Sequence, residues 1–90
     1  MNILFGEKLV FFIIFLFEKL QKIISEVLNV EADEITMETT FVDDLGADSL
    51  DVFQILMGIE EEFDIEIANE VAENIVTVSD AVEQIKNALN

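Results

Sequence analysis

The sequence predicts an all-α fold: a small bundle of three main helices plus a short fourth, with a long loop between helices 1 and 2. Apolar residues recur at helical spacing in three separate stretches. Two of those stretches open on helix-start signatures, D-x-x-D at 48–51 and T-x-x-D at 77–80. The alternation "DIEI" at 64–67 reads like a strand but has no second strand to pair with. With 90 residues, 52% of them hydrophobic, the chain is one small domain, too apolar for a disordered acidic tail.

Along the chain, residues 9–17, "LVFFIIFLF", come first and are apolar without a break. Nine residues are about half of the roughly twenty that a membrane-crossing helix needs, so no membrane span is expected. No small-x-small cleavage site follows, as a signal peptide would require. Three readings stand for residues 1–15: a hydrophobic extension of the first helix, a membrane- or partner-facing anchor, or a segment upstream of the natural start. In solution this segment is expected to be disordered, self-associating or packed against something. Residues 16–90 form the domain proper.

From Leu16, the residues Leu20, Ile23, Ile24, Val27 and Leu28 mark one helical face, with Glu18, Lys19, Lys22 and Glu26 on the other. This helix is expected to end near Asn29. Residues 30–47 lose the period and form a loop too long for a simple connector, so it should be functional or packed by its own side chains. Its expected anchors are Ile35, Phe41, Val42 and Leu45, with Gly46 permitting a turn that a β-carbon would disfavour.

The second helix starts at "DSLD". Asp48 is placed to cap it and Asp51 stands at its third position. Leu50, Phe53, Ile55, Leu56, Met57, Ile59 and Phe63 give it a broad apolar face, and Gly58 costs it about 1 kcal/mol relative to alanine. The acidic run Glu60–Glu62 closes it, against the helix dipole and so of no help to stability. Residues 68–74 suit one or two short turns. Thr77 and Asp80 then cap a last helix carrying Val78, Ala81, Val82, Ile85 and Leu89.

Charge and composition exclude several functions. Twenty acidic residues against four lysines give a formal charge of −16, and the chain has no histidine or cysteine. Nucleic acid is not an expected partner, because phosphate binding needs a basic footprint; basic protein surfaces are. The common zinc ligands are missing, and no metal site is expected. Ser49 sits between Asp48 and Asp51 with no histidine to take its proton, so it is not a self-activated nucleophile. No catalytic residue is expected, and the chain is not read as an enzyme. As the first residue of a helix, Ser49 has an accessible hydroxyl near amides that favour an anion such as a phosphodiester. It therefore reads either as a simple helix cap or as a site modified by another enzyme.

"FVDDLGADSLD" (41–51) followed by "IEEEFDIEI" (59–67) resembles the acyl carrier proteins of type II, dissociated, fatty-acid synthesis. The resemblance runs from about Leu16 to the C-terminus and includes the order of the elements. It implies that Ser49 carries 4′-phosphopantetheine, attached from coenzyme A by a holo-acyl-carrier-protein synthase, and that acyl chains ride on the arm as thioesters. It implies a cavity for the acyl chain, at positions matching Phe41, Ile59, Ile67, Ala72 and Ile75. It also implies that fatty-acid synthesis enzymes with basic patches dock on the second helix, through Asp48, Asp51, Glu60 and Glu61 for charge and Leu50 and Met57 for apolar contact. The implied location is cytoplasmic. Members of this family commonly begin near Leu16, which makes residues 1–15 an addition.

Three positions depart from the family pattern. Gln54 stands where a glutamate is frequent, Gly58 where alanine is, and Ala68 where "I-P-D-E" supplies a proline. The alternatives are a carrier for a specialised acyl or aminoacyl pathway, which would use the same serine, and an acidic protein-interaction module without a prosthetic group.

Overall fold

One unbroken helix of 27 residues, α1 (Asn2–Leu28), sets the long dimension of the molecule in the computed structural model, which describes residues 2–89. A helix of that length measures about 40 Å, and the molecule extends 45 × 28 × 20 Å. The division expected at residues 15 and 16 thus falls inside α1; Met1 and Asn90, the outer ends of the two segments, lie outside the described residues. Within the apolar run, Phe12, Ile13 and Phe17 pack against the core, whereas Val10, Phe11, Ile14 and Phe15 are exposed. The helix ends at Asn29, whose left-handed backbone (φ 59°) lets its N–H reach the Ser25 carbonyl at 2.8 Å.

A 3₁₀ turn, Ala32–Glu34, opens the long loop. Gln21 on α1 holds it by donating from Nε2 to the carbonyls of Ala32 (3.1 Å) and Ile35 (2.9 Å). Ile35 and Phe41 are buried and Leu45 is half-buried, as the pattern predicts. Val42 is the exception, 62% exposed. Residues 41–45 form a tight turn in which Gly46 N–H reaches the Val42 carbonyl, and a turn that points Phe41 inward carries its neighbour outward. Gly46 takes φ +69°, the conformation that favours a residue without a β-carbon.

Helix α2 (Ser49–Phe63) packs along α1. A β-carbon at Gly58 would lie 3.0 Å from Ile23 Cγ2, so the glycine that weakens the helix also permits the close approach of the two. Asp64, left-handed at φ 55°, ends α2. Helix α3 (Asn69–Ala72) is a single turn without a side-chain cap, starting at Ala68. Helix α4 (Val78–Leu89) returns along α1 and buries Val78, Ala81, Val82 and Ile85. The core is a column of aliphatic side chains from three helices, with Leu16, Leu20, Ile24, Ile59 and Ile85 each at 0% exposure.

The loop is fastened to the start of α4. Thr40 and Thr77 form an isolated antiparallel bridge, Phe41 N–H donates to the Val76 carbonyl (3.1 Å), Val78 N–H to Thr39 (2.9 Å) and Ser79 N–H to Met37 (2.8 Å). Asp80 completes this junction: its Oδ2 accepts from the amides of Thr77 and Val76, both at 3.0 Å, and its own amide donates to Thr77 Oγ1. Those amides, Thr77 first, hold the Asp80 carboxyl below its ordinary range. A depressed carboxylate stabilises the fold above its unfolded pKa of about 4, and the contribution is lost as pH falls through the lower, folded value. Asp80→Asn is therefore expected to lower the melting temperature at pH 7, and the gap from the unmodified chain should narrow steadily below about pH 4. A gap that is constant from pH 7 to pH 3 would contradict this role.

Candidate functional site

The start of α2 is built by a reciprocal cap. Asp48 Oδ1 accepts from the Asp51 amide (2.8 Å), and Asp51 Oδ2 accepts from the Asp48 amide (3.1 Å). Both carboxylates beside Ser49 are thus occupied with backbone, which leaves the Ser49 and Leu50 amides of the first turn without an intrahelical acceptor. Ser49 itself is exposed at the helix tip. A hydroxyl, free helix-start amides and a positive dipole end together suit a covalently attached, singly charged phosphodiester.

Beside the serine lies a depression of about 410 Å³, lined in part by Ser49, Phe41, Val52, Ala72, Ile75 and Val76. Three of the five residues that the sequence suggested for an acyl cavity, Phe41, Ala72 and Ile75, meet here. The other two do not. Ile59 is at 0% exposure in the helical column and does not line the depression. Ile67 lines a separate hollow of about 260 Å³ against α4, with Val71 and Ala88. Val52, Val76 and Thr40 are lining residues that the sequence reading missed. Val52, three positions after Ser49, could have been found from helical spacing alone. Val76 and Thr40 arrive only through the loop-to-α4 bridge, for which the sequence has no local signal.

The outer face of α2 carries apolar residues set among acids. Leu50 is 61% exposed, Phe53 57% and Met57 43%. The resemblance implied apolar contacts at Leu50 and Met57 only; the spacing 50, 53, 57 puts Phe53, which belongs to the same broad apolar face, between them. The acidic run needs a correction. Glu60 Oε2 accepts from the Ile67 amide (2.9 Å), pinning the segment after α2, and Glu62 pairs with Lys19 of α1 at 3.4 Å. Two of the three glutamates thus have partners within the chain, and Glu61 is the one left wholly outward. The run is part of the tertiary structure as well as an acidic surface. Among the described residues no acidic cluster is arranged to hold a metal ion, and no helix is long and apolar enough to cross a membrane.

Comparison with known proteins agrees with this geometry. Residues 18–85 match the family model described as phosphopantetheine attachment site. The chain is 56% identical over 70 residues to an acyl carrier protein of Clostridium perfringens, covering 78% of this chain and 92% of that one. It is 54% identical over 72 residues to an acyl carrier protein of Helicobacter acinonychis, covering 80% and 92%. A solved Mycobacterium tuberculosis chain assigned as an acyl carrier protein superposes with a TM-score of 0.76 at 38% identity, over 80% of this chain and 96% of that chain.

Proposed function

The chain belongs to the acyl carrier proteins, carriers of acyl chains on a phosphopantetheine arm, and from that premise we propose that Ser49 is the residue that bears the arm. The observation that carries this is local: within the matched segment, Ser49 offers an exposed hydroxyl at a helix start whose flanking carboxylates are already satisfied, at the mouth of an apolar-walled depression. The group, once attached, supplies the thiol that a chain without cysteine lacks. The protein's part is to hold and present. The helix-start amides of Ser49 and Leu50 receive the phosphodiester charge, and Phe41, Val52, Ala72, Ile75 and Val76 give an acyl chain an apolar refuge.

Fatty-acid synthesis enzymes, and first among them a holo-acyl-carrier-protein synthase, dock on α2. Asp48, Asp51 and Glu61 face their basic patches, Glu60 adds charge from a partly buried position, and Leu50 and Met57 supply apolar contact. Charge complementarity mainly speeds encounter and fixes orientation, which suits a carrier that must leave each partner. The chain performs no catalysis of its own, works in the cytoplasm beside those enzymes, and uses residues 16–90 as its carrier domain, with residues 1–15 as an extension.

Incubation of the purified chain with coenzyme A, magnesium and a broad phosphopantetheinyl transferase tests the assignment. The intact mass is expected to rise by one phosphopantetheine, and Ser49→Ala should abolish the gain completely. Equal modification of the alanine variant would move the attachment point elsewhere.

A further inference from the structure

We propose that the outward face of α1 from Lys8 to Lys22 is a self-association seam, on which a second copy of this chain packs antiparallel. The proposal does not rest on the assignment of Ser49. Its starting point is a surface that an isolated chain leaves bare: Val10, Phe11, Ile14 and Phe15 are 55%, 68%, 44% and 50% exposed on one helix. On the opposite side of the same helix, Leu16, Leu20 and Ile24 are fully buried in the bundle. Phe11 and Phe15 therefore point away from the chain's own core, with Ile14 at the edge of the same face, while Val10 and the 41% exposed Leu9 lie round toward the other side.

Lys8, Phe11, Phe15, Glu18 and Lys22 follow one another at alternating intervals of three and four, the spacing of a seam between two helices. Charge then decides direction. A parallel pair would set Lys8 against Lys8 and Glu18 against Glu18. An antiparallel pair centred between Phe11 and Phe15 sets Phe11 of each copy against Phe15 of the other, Lys8 against Glu18, and Glu7 beside Lys19. Every contact occurs twice, as a two-fold, isologous interface requires. Glu7, Lys8 and Glu18 are exposed, and among the described residues none of them has an ion pair within the chain. Lys19 already lies over the Phe15 ring at 5.5 Å and meets Glu62 at 3.4 Å, so it stands at the edge of the seam with donors to spare.

A lipid surface suits this face less well. The apolar patch is closed at both ends by carboxylates, and a formal charge of −16 repels an anionic bilayer as it repels a second copy, but only the second copy offers Lys8 and Glu18 to each other in return. The interface is small. Phe11, Phe15 and the flanking Ile14 offer on the order of 300 Å² per copy, taking about 150–200 Å² for each when fully bare, and the roughly 600 Å² of the pair is well below the ~1,200 Å² of a standard interface. The dimer is accordingly weak, with a Kd in the micromolar range. None of the seam residues lines the depression at Ser49, so both copies remain open to modification.

Sedimentation equilibrium of the full chain between about 5 and 500 µM, a range that spans micromolar dissociation constants, should show the mass rising from one chain to two. Phe11→Asp should remain a single chain throughout. Lys8→Glu, which sets a carboxylate against Glu18 twice, should raise Kd at least about tenfold. Glu18→Lys should do the same, and the double variant Lys8→Glu/Glu18→Lys should return Kd to within about threefold of the original, since the pairing is only reversed. A chain that stays monomeric at all concentrations would overturn the proposal, as would assembly beyond two copies, or single swaps that weaken association without rescue in the double variant. Binding of a monomeric chain to neutral phosphatidylcholine vesicles would assign the face to lipid and overturn it equally.

Discussion

Ile59→Ala is expected to destabilise the fold by about 2–5 kcal/mol, the cost of deleting three methyl or methylene carbons from a fully packed site. Ile59 has no exposure and belongs to the column formed with Leu20, Ile24, Ile55 and Ile85. Its neighbours come from helices that cannot close up freely. Gly58 already brings α2 so near α1 that a single added carbon would lie 3.0 Å from Ile23. In a domain of this size about 1 kcal/mol shifts the melting temperature by ~4–8 °C, so thermal unfolding reads the effect directly. A loss under ~1 kcal/mol would return Ile59 to the wall of the depression beside Ser49, where truncation enlarges a space that is already open. The same variant separates the two roles, because a residue buried in the column changes stability before it changes the shape of the depression.

Raising ionic strength should stabilise the chain, and divalent cations should do so at lower concentration. Twenty carboxylates and four ammonium groups share a surface, and the Debye length falls from about 30 Å at 0.01 M to ~3 Å at 1 M. Screening relieves the repulsion between the acidic start and end of α2, and between those ends and the acidic loop that precedes Ser49. The one ion pair among the described residues, Lys19–Glu62, is about 40% exposed on both sides, and losing such a pair costs at most about 1 kcal/mol. The balance favours screening. The melting temperature measured from ~0.01 to ~0.5 M sodium chloride should rise by several degrees; a flat or falling curve would mean that local pairing outweighs the net charge.

The parts of this fold that were legible in the sequence are those in which neighbours along the chain decide the outcome. The Asp48–Asp51 and Thr77–Asp80 caps rest on side chains three positions apart, and both occur as read. Gly46 takes the positive φ that its position demanded. The continuity of α1 through the apolar run was one of three open readings, since an all-apolar stretch has no polar face to reveal its period. Val42 was misjudged because apolar character alone does not say which of two adjacent turn residues faces in. Glu60 and Glu62 were read as costly because the helix dipole is a local argument, whereas the Ile67 amide and Lys19 reach them from other parts of the fold. The serine and its cap were visible in eleven residues. Two of the walls around it, at Thr40 and Val76, depend on the bridge between Thr40 and Thr77, which only the folded chain brings together.

That bridge has a consequence for how the molecule opens. The amides of Phe41, Val78 and Ser79 are closed by carbonyls of distant residues, so they exchange with solvent only when the loop and α4 separate, an opening close to global unfolding. Helix α3 is a single turn that buries no residue and has no side-chain cap, and its amides are released by a far smaller fluctuation. Ala72 at its end and Ile75 just beyond also line the depression at Ser49. The wall formed by α3 is thus the part of the depression that yields most readily, so a group pressed into it would displace α3 before it parted the loop from α4.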